Sequence, residues 1–186
     1  QSCISVQRVL VNETIANELR DALVAAAEAC PTGDPRYPAV VCGPLISGAD
    51  ADRIEAWVRA AEAAGARRLT PWRRERSVVW PTLLEGAPRD AAVWAEEAFG
   101  PVAAIATYRS FDEALAMVND SRFGLQAGIF TRDVEKVQAA FEPEKPQRYC
   151  TSVSSVMSSA PEPSSHIRFR RWAIRRALDK GADAEG

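Results

Sequence analysis

Val102-Ala103-Ala104-Ile105-Ala106-Thr107-Tyr108 is followed, one residue on, by Ser110-Phe111-Asp112-Glu113. The first stretch is a nearly continuous apolar run, the pattern of a strand covered on both faces in a parallel sheet. The second has capping-box spacing, in which the serine oxygen and the glutamate each satisfy an unpaired backbone N–H at a helix start. Phe111, Leu115 and Val118 then give that helix an apolar stripe. A buried strand leading into a capped helix is one unit of an α/β fold.

The same alternation extends in both directions. Upstream, Val6 to Val11 reads as a strand with Asn12 as a helix cap, and Ile15, Leu19 and Leu23 place one apolar stripe on a helix ending near Ala29. Pro31-Thr32-Gly33-Asp34-Pro35 breaks the chain there. A second helix carries Ile54, Trp57, Val58, Ala61 and Ala64 on one face, with Asp50 near its start and Gly65 near its end. Val78 to Leu84 reads as extended, and Pro81 puts part of it at an edge or irregular position. Downstream, Gly124 to Phe130 is a further strand, and Thr131 caps a helix bearing Val134, Val137 and Phe141. These elements predict an α/β domain with a largely parallel sheet flanked by helices.

After Phe141 the pattern stops. Pro143, Pro146, Pro161 and Pro163 bracket or interrupt a serine-rich stretch from Thr151 to Ser165, so 143–186 is read as an irregular C-terminal tail. Arg168, Arg170, Arg171, Arg175 and Arg176 form a basic cluster there, read as a solvated face, with an anion-binding or interaction module as the alternative.

The 186 residues suit one domain. A net charge of -2 gives no global pull toward nucleic acid or anionic membrane, which leaves a small molecule or a protein as partner. No apolar run approaches the roughly 18 residues of a membrane span, and no leader pattern is present, so a cytoplasmic protein is expected. Cys3, Cys30, Cys42 and Cys150 lack C-x-x-C spacing and His166 is the sole histidine, so no metal site is expected and the thiols are read as free. Cys30 ends a helix, Cys42 falls in a turn and Cys150 in the tail, all three as incidental small residues.

No glycine-rich phosphate loop, serine-centred nucleophile elbow or histidine triad is present. Taken alone, Cys3 reads as an inert thiol, Glu96 and Glu97 as a solvated helix end and Phe99 as a core side chain. The surrounding segments change that weighting. Gln1-Ser2-Cys3-Ile4-Ser5-Val6-Gln7-Arg8-Val9, Cys42-Gly43-Pro44-Leu45-Ile46-Ser47, Pro81-Thr82-Leu83-Leu84-Glu85 and Glu96-Glu97-Ala98-Phe99-Gly100-Pro101-Val102 stand in that order. Ser110-Phe111-Asp112-Glu113-Ala114 and Asn119-Asp120-Ser121-Arg122-Phe123-Gly124-Leu125 continue the series. Together they resemble the catalytic part of an aldehyde dehydrogenase over roughly residues 1–142.

The resemblance implies a partial catalytic domain over 1–142. Cys3 would be the nucleophile, Glu97 the carboxylate that binds the nicotinamide ribose hydroxyls and Phe99 a ring near the nicotinamide. The cofactor would be NAD or NADP and the substrate a small aldehyde, with a homo-oligomer left open. A thiolate suits attack on an aldehyde carbon, and a carboxylate can accept two hydrogen bonds from a ribose diol. In the family the glycine-rich nucleotide-binding domain, the general-base glutamate and the oxyanion asparagine precede the nucleophile. None has a counterpart in these 186 residues, so the chain alone is not expected to complete turnover. A non-catalytic remnant is the alternative. The tail also departs from the family, and a reading frame shifted near residue 142 would account for this, because Arg170-Arg171 and Ile174-Arg175-Arg176 would then mask glycine-rich family segments.

Overall fold

The computed structural model describes residues 2–123, 125–141 and 150–157. Six strands form one sheet in the order β2-β5-β6-β1-β8-β7. They are β1 (Val6–Asn12), β2 (Arg67–Arg68), β5 (Thr82–Glu85), β6 (Val102–Tyr108), β7 (Leu125–Phe130) and β8 (Cys150–Met157). Every pairing in it is parallel except that of β2 with β5. The short strands β3 (Arg74–Glu75) and β4 (Val78–Val79) make a separate two-stranded ribbon.

The apolar run at 102–108 lies inside the sheet between β5 and β1, and consecutive side chains point to opposite faces. On one face, Val9, Val11 and Ile105 pack against Ile15, Ala16 and Leu19 at the start of α1 (Ala16–Glu28). On the other, Leu10, Ala104 and Tyr108 meet Trp94 of α3 (Ala92–Ala95) with Ala114 and Met117 of α4 (Phe111–Asn119). A third cluster packs Ala51, Ile54, Val58 and Ala61 of α2 (Gly48–Ala63) against Leu84, Val93 and Val102. Glu85 joins α1 to the sheet margin by pairing with Arg20 (3.2 Å) and Arg67. Partial burial opposes ionisation of Glu85, but the two guanidiniums outweigh it and hold the carboxyl below its usual range.

Several local details differ from the sequence reading. The buried stripe of α4 is centred on Ala114 and Met117, with Phe111 and Val118 at its margins. Ser110 caps α4 as expected by accepting from Glu113 N–H (3.2 Å), but the Glu113 carboxylate takes the N–H of Arg109 (2.8 Å). Ser47 caps α2 and Asp50 braces that serine. At α5 (Val134–Phe141) Asp133 accepts from the Glu135 and Lys136 N–H groups, and Thr131 holds the N–H of Asp133.

The largest difference is β8. Within 143–186, read as irregular throughout, Cys150–Met157 forms a strand between β1 and β7. Its β-branched residues Thr151, Val153 and Val156 suit a strand, and a parallel partner on either side satisfies its backbone. The serine-rich stretch beyond Met157, His166 and the arginine cluster lie outside the described residues. Among the described residues no helix is long and apolar enough to cross a membrane.

Candidate active site

Parallel strands all start at one edge of a sheet, so the segments that enter them meet at that edge. Cys3 sits in a turn from Ser2 to Ser5, closed by Ser5 N–H donating to Ser2 O (2.9 Å), and runs directly into β1. Its thiol is exposed. In the β1–β6 ladder Arg8 stands opposite Ala104. Cys3 precedes β1 and Glu97-Phe99 precedes β6, so the two segments enter neighbouring parallel strands from the same edge of the sheet.

Three side chains fix the segment containing Glu97 and Phe99. Gln7, 6% exposed on β1, donates through Nε2 to Val93 O (3.0 Å) and Glu96 O (2.5 Å), while its Oε1 accepts the N–H of Ala98 (3.0 Å). Arg53 reaches from α2 to Ala98 O (2.9 Å) with its guanidinium over the Trp57 ring (4.6 Å). Arg122, at the entry to β7, pairs with the Glu96 carboxylate. Gly100 then lies so close to α2 that a Cβ there would meet Ile54 Cγ1 at 3.0 Å and Leu45 Cδ2 at 3.2 Å.

Within this frame Phe99 takes φ 45, a left-handed conformation that costs a non-glycine residue energy, and its ring is 45% exposed. The Phe99 ring is therefore held outward and is not a core side chain. Glu97 is half-buried and its carboxylate makes no hydrogen bond or ion pair among the described residues, although Glu96 beside it is paired. An outward ring next to an uncommitted carboxylate fits a ligand with an aromatic face and a diol.

Arg8 brings in a further segment. It is 1% exposed, and its guanidinium donates to Asp120 O (3.3 Å) and Ser121 Oγ (2.5 Å) and stands over the Trp94 ring (5.4 Å). A buried charge is tolerated only with such partners. The strand that follows the Cys3 turn is thus fastened to the Asn119-Asp120-Ser121-Arg122 segment more than a hundred residues later.

Residues 1–144 match the aldehyde dehydrogenase family. The chain belongs to that family. An aldehyde-dehydrogenase-like protein of Sinorhizobium fredii is 42% identical over 134 residues, 72% of this chain and 26% of that protein. Among solved structures, aldehyde dehydrogenase 21 from Physcomitrella patens, in complex with the reaction product succinate, superposes with TM-score 0.74 at 35% identity, covering 87% of this chain and 32% of that one. The NADP-dependent glyceraldehyde-3-phosphate dehydrogenase of Bacillus halodurans, complexed with NADP, gives TM-score 0.74 at 27% identity over 87% of this chain and 33% of its own. This aldehyde dehydrogenase chain therefore spans between a quarter and a third of the length of these relatives.

The sequence reading singled out Cys3, Glu97 and Phe99, and their segments share one edge of the sheet. It missed Gln7, Arg8, Arg53 and Arg122. A signal for two of them was present, since polar Gln7 and Arg8 interrupt an otherwise apolar strand and must find partners once buried. Arg53 and Arg122 look like ordinary surface charges in sequence.

Proposed function

We propose that this chain carries the nucleophile and the nicotinamide-side cofactor contacts of an NAD(P)-dependent aldehyde dehydrogenase that oxidises a small aldehyde to its carboxylic acid. Cys3 Sγ attacks the carbonyl carbon, carries the acyl group as a thioester once the carbon has been oxidised, and yields it to water as the acid. Glu97 accepts hydrogen bonds from the ribose hydroxyls and Phe99 offers its ring to the nicotinamide. A bound nicotinamide dinucleotide supplies the hydride acceptor. The observation that carries this reading is the edge itself, where an exposed thiol precedes β1 and a clamped, strained Glu97-Phe99 segment precedes the neighbouring parallel strand β6.

Acylation tests the nucleophile without cofactor. An activated ester at neutral pH should acylate Cys3 ahead of Cys30, Cys42 and Cys150, as mapped by peptide mass spectrometry, and iodoacetamide should show the same order. Equal rates at all four would overturn the assignment. For the cofactor half, Glu97→Gln should weaken binding of reduced cofactor, followed by its fluorescence, by roughly 10- to 100-fold, the loss of a charge-assisted hydrogen-bond pair. Unchanged affinity would remove Glu97 from the site.

A further inference from the structure

Arg67, Arg68, Arg73, Arg74 and Arg76 crowd one short stretch of the sequence, and the structure divides them into two groups. Three are committed to carboxylates. Arg67 pairs with Glu85 and Arg68 with Glu62 (3.4 Å), while Arg74 takes both Asp52 (2.7 Å) and Glu55 (2.9 Å) of α2. Arg73 and Arg76 have no carboxylate partner among the described residues, and these are the two that line an open cleft of about 510 Å³ together with Trp72, Arg74 and Glu55. The reaction at Cys3 uses none of these residues.

Trp72, Arg74 and Arg76 occupy alternate positions of the segment that forms β3, and all three line the cleft, whereas the intervening acid Glu75 does not. Arg74 fixes this segment to α2, and its Nε donates to Arg76 O (2.7 Å), so one guanidinium holds both the helix and the turn that presents Arg76. Arg73 lies with its guanidinium over the Trp80 ring (4.0 Å), which sets its plane and leaves its N–H edge open to a forked acceptor. The acid in the lining does not compete for either arginine, because Glu55 gives Oε1 to Arg59 (2.5 Å) and Oε2 to Arg74 (2.9 Å). Three guanidiniums against one carboxylate leave two positive charges in excess. A carboxylate or a sulfate ester matches one of them. A phosphomonoester carries a charge of about -1.5 to -2 at neutral pH on three acceptor oxygens and matches both. The cleft is also far larger than a bare phosphate, and Trp72 offers it an aromatic surface.

We propose that the cleft between α2 and the β3–β4 ribbon binds a small phosphomonoester that carries a planar ring, with the phosphate held by Arg73 and Arg76 and the ring against Trp72. The site is independent of the roles of Cys3, Glu97 and Phe99.

Phenyl phosphate is the probe, titrated by calorimetry into the full chain in low-salt buffer well above the second phosphate pKa of about 6, with phenyl sulfate and inorganic phosphate as comparison anions. One phenyl phosphate should bind per chain, and both comparison anions should bind more weakly, phenyl sulfate for want of the second charge and phosphate for want of the ring. Arg73→Gln and Arg76→Gly should each cost roughly 10-fold or more in affinity, the loss of charge-assisted hydrogen bonds. Arg76 has φ 55, which glycine adopts without strain, so Arg76→Gly should keep the parent's thermal midpoint while it loses the ligand. Trp72→Leu should weaken phenyl phosphate and leave inorganic phosphate unchanged; should that variant unfold, the ratio of the two affinities in the parent decides the ring contact. Equal affinity for phenyl sulfate or for inorganic phosphate, undiminished binding by folded Arg76→Gly, or unsaturable uptake of several anions per chain would overturn the site. Glu97→Gln should bind the probe as the parent does, and a loss there would move the probe to the proposed cofactor edge and away from this cleft.

Discussion

At the scale of single residues, Phe99 separates a core role from a ligand-facing one. Its φ of 45 costs an L-residue roughly 1–2 kcal/mol, which glycine would not incur. Glycine would in turn lose unfolded-state entropy of about 0.5–1 kcal/mol and the contacts of a half-exposed ring. Phe99→Gly should therefore leave the urea-unfolding free energy within about 1 kcal/mol of the parent, where truncating a core phenylalanine costs about 3–5 kcal/mol. A loss in that larger range would return Phe99 to the core. Tyr108 behaves oppositely. It is 2% exposed, and burial pushes its phenol up to about 12. The folded chain holds that proton more tightly than the unfolded chain, so the contribution is complete below about pH 10 and is lost as pH rises toward about 12, on the order of 2–3 kcal/mol in all. Tyr108→Phe should flatten stability against pH across that window, as measured by urea midpoints. An unchanged slope would assign the alkaline loss to other groups.

At the scale of elements, the long periodic segments were legible and the short ones were not. β1, β6 and β7 announce themselves by apolar runs, α1, α2, α4 and α5 by an apolar stripe, and α4 also by its capping Ser110. By contrast β2 and β3 have two residues each and α3 has four, too few to show a period. β8 was hidden by its serines, because its status comes from two neighbouring strands that local sequence does not report. The site has the same division. The residues proposed to carry chemistry were singled out from motifs, whereas the Gln7 bonds that hold the Glu97-Phe99 segment span 86 to 91 positions and are a property of the fold. Gln7→Ala tests the clamp. It strands Val93 O, Glu96 O and Ala98 N–H, at a cost of roughly 2–4 kcal/mol if water fills the space only in part. Amide hydrogen exchange at Ala98 should accelerate well beyond that at Ala104 in the middle of β6, which keeps its ladder partners. Equal protection in parent and variant would show that the segment is held by Arg53 and Arg122 without Gln7.

At the scale of the molecule, the sheet order places β8 where the integrity of one whole side depends on it. β7 pairs with β8 alone among the described strands, and β1 would become an edge if β8 left. Ser154 is in register with Arg8 on one side and with Ala127 on the other, so its backbone lies in both ladders. Proline there removes a ladder N–H from an interior strand and costs roughly 3 kcal/mol or more. Ser154→Pro should strip exchange protection from residues 125–130 while β5 and β6 keep theirs, since their pairing does not pass through β8. The newly exposed edge of β1 should then drive self-association, visible as a concentration-dependent shift in size-exclusion chromatography. The consequence reaches the site, because β1 carries Gln7 and Arg8 and follows directly on the turn that holds Cys3. A β1 free to pair with another chain no longer holds its entry turn against the β6 segment, and the preference of an activated ester for Cys3 over Cys30 and Cys42 should fall with it. Retained protection in β7 together with retained Cys3 selectivity would mean that β7 and β1 are held in place by their helices, with β8 a passive filler between them.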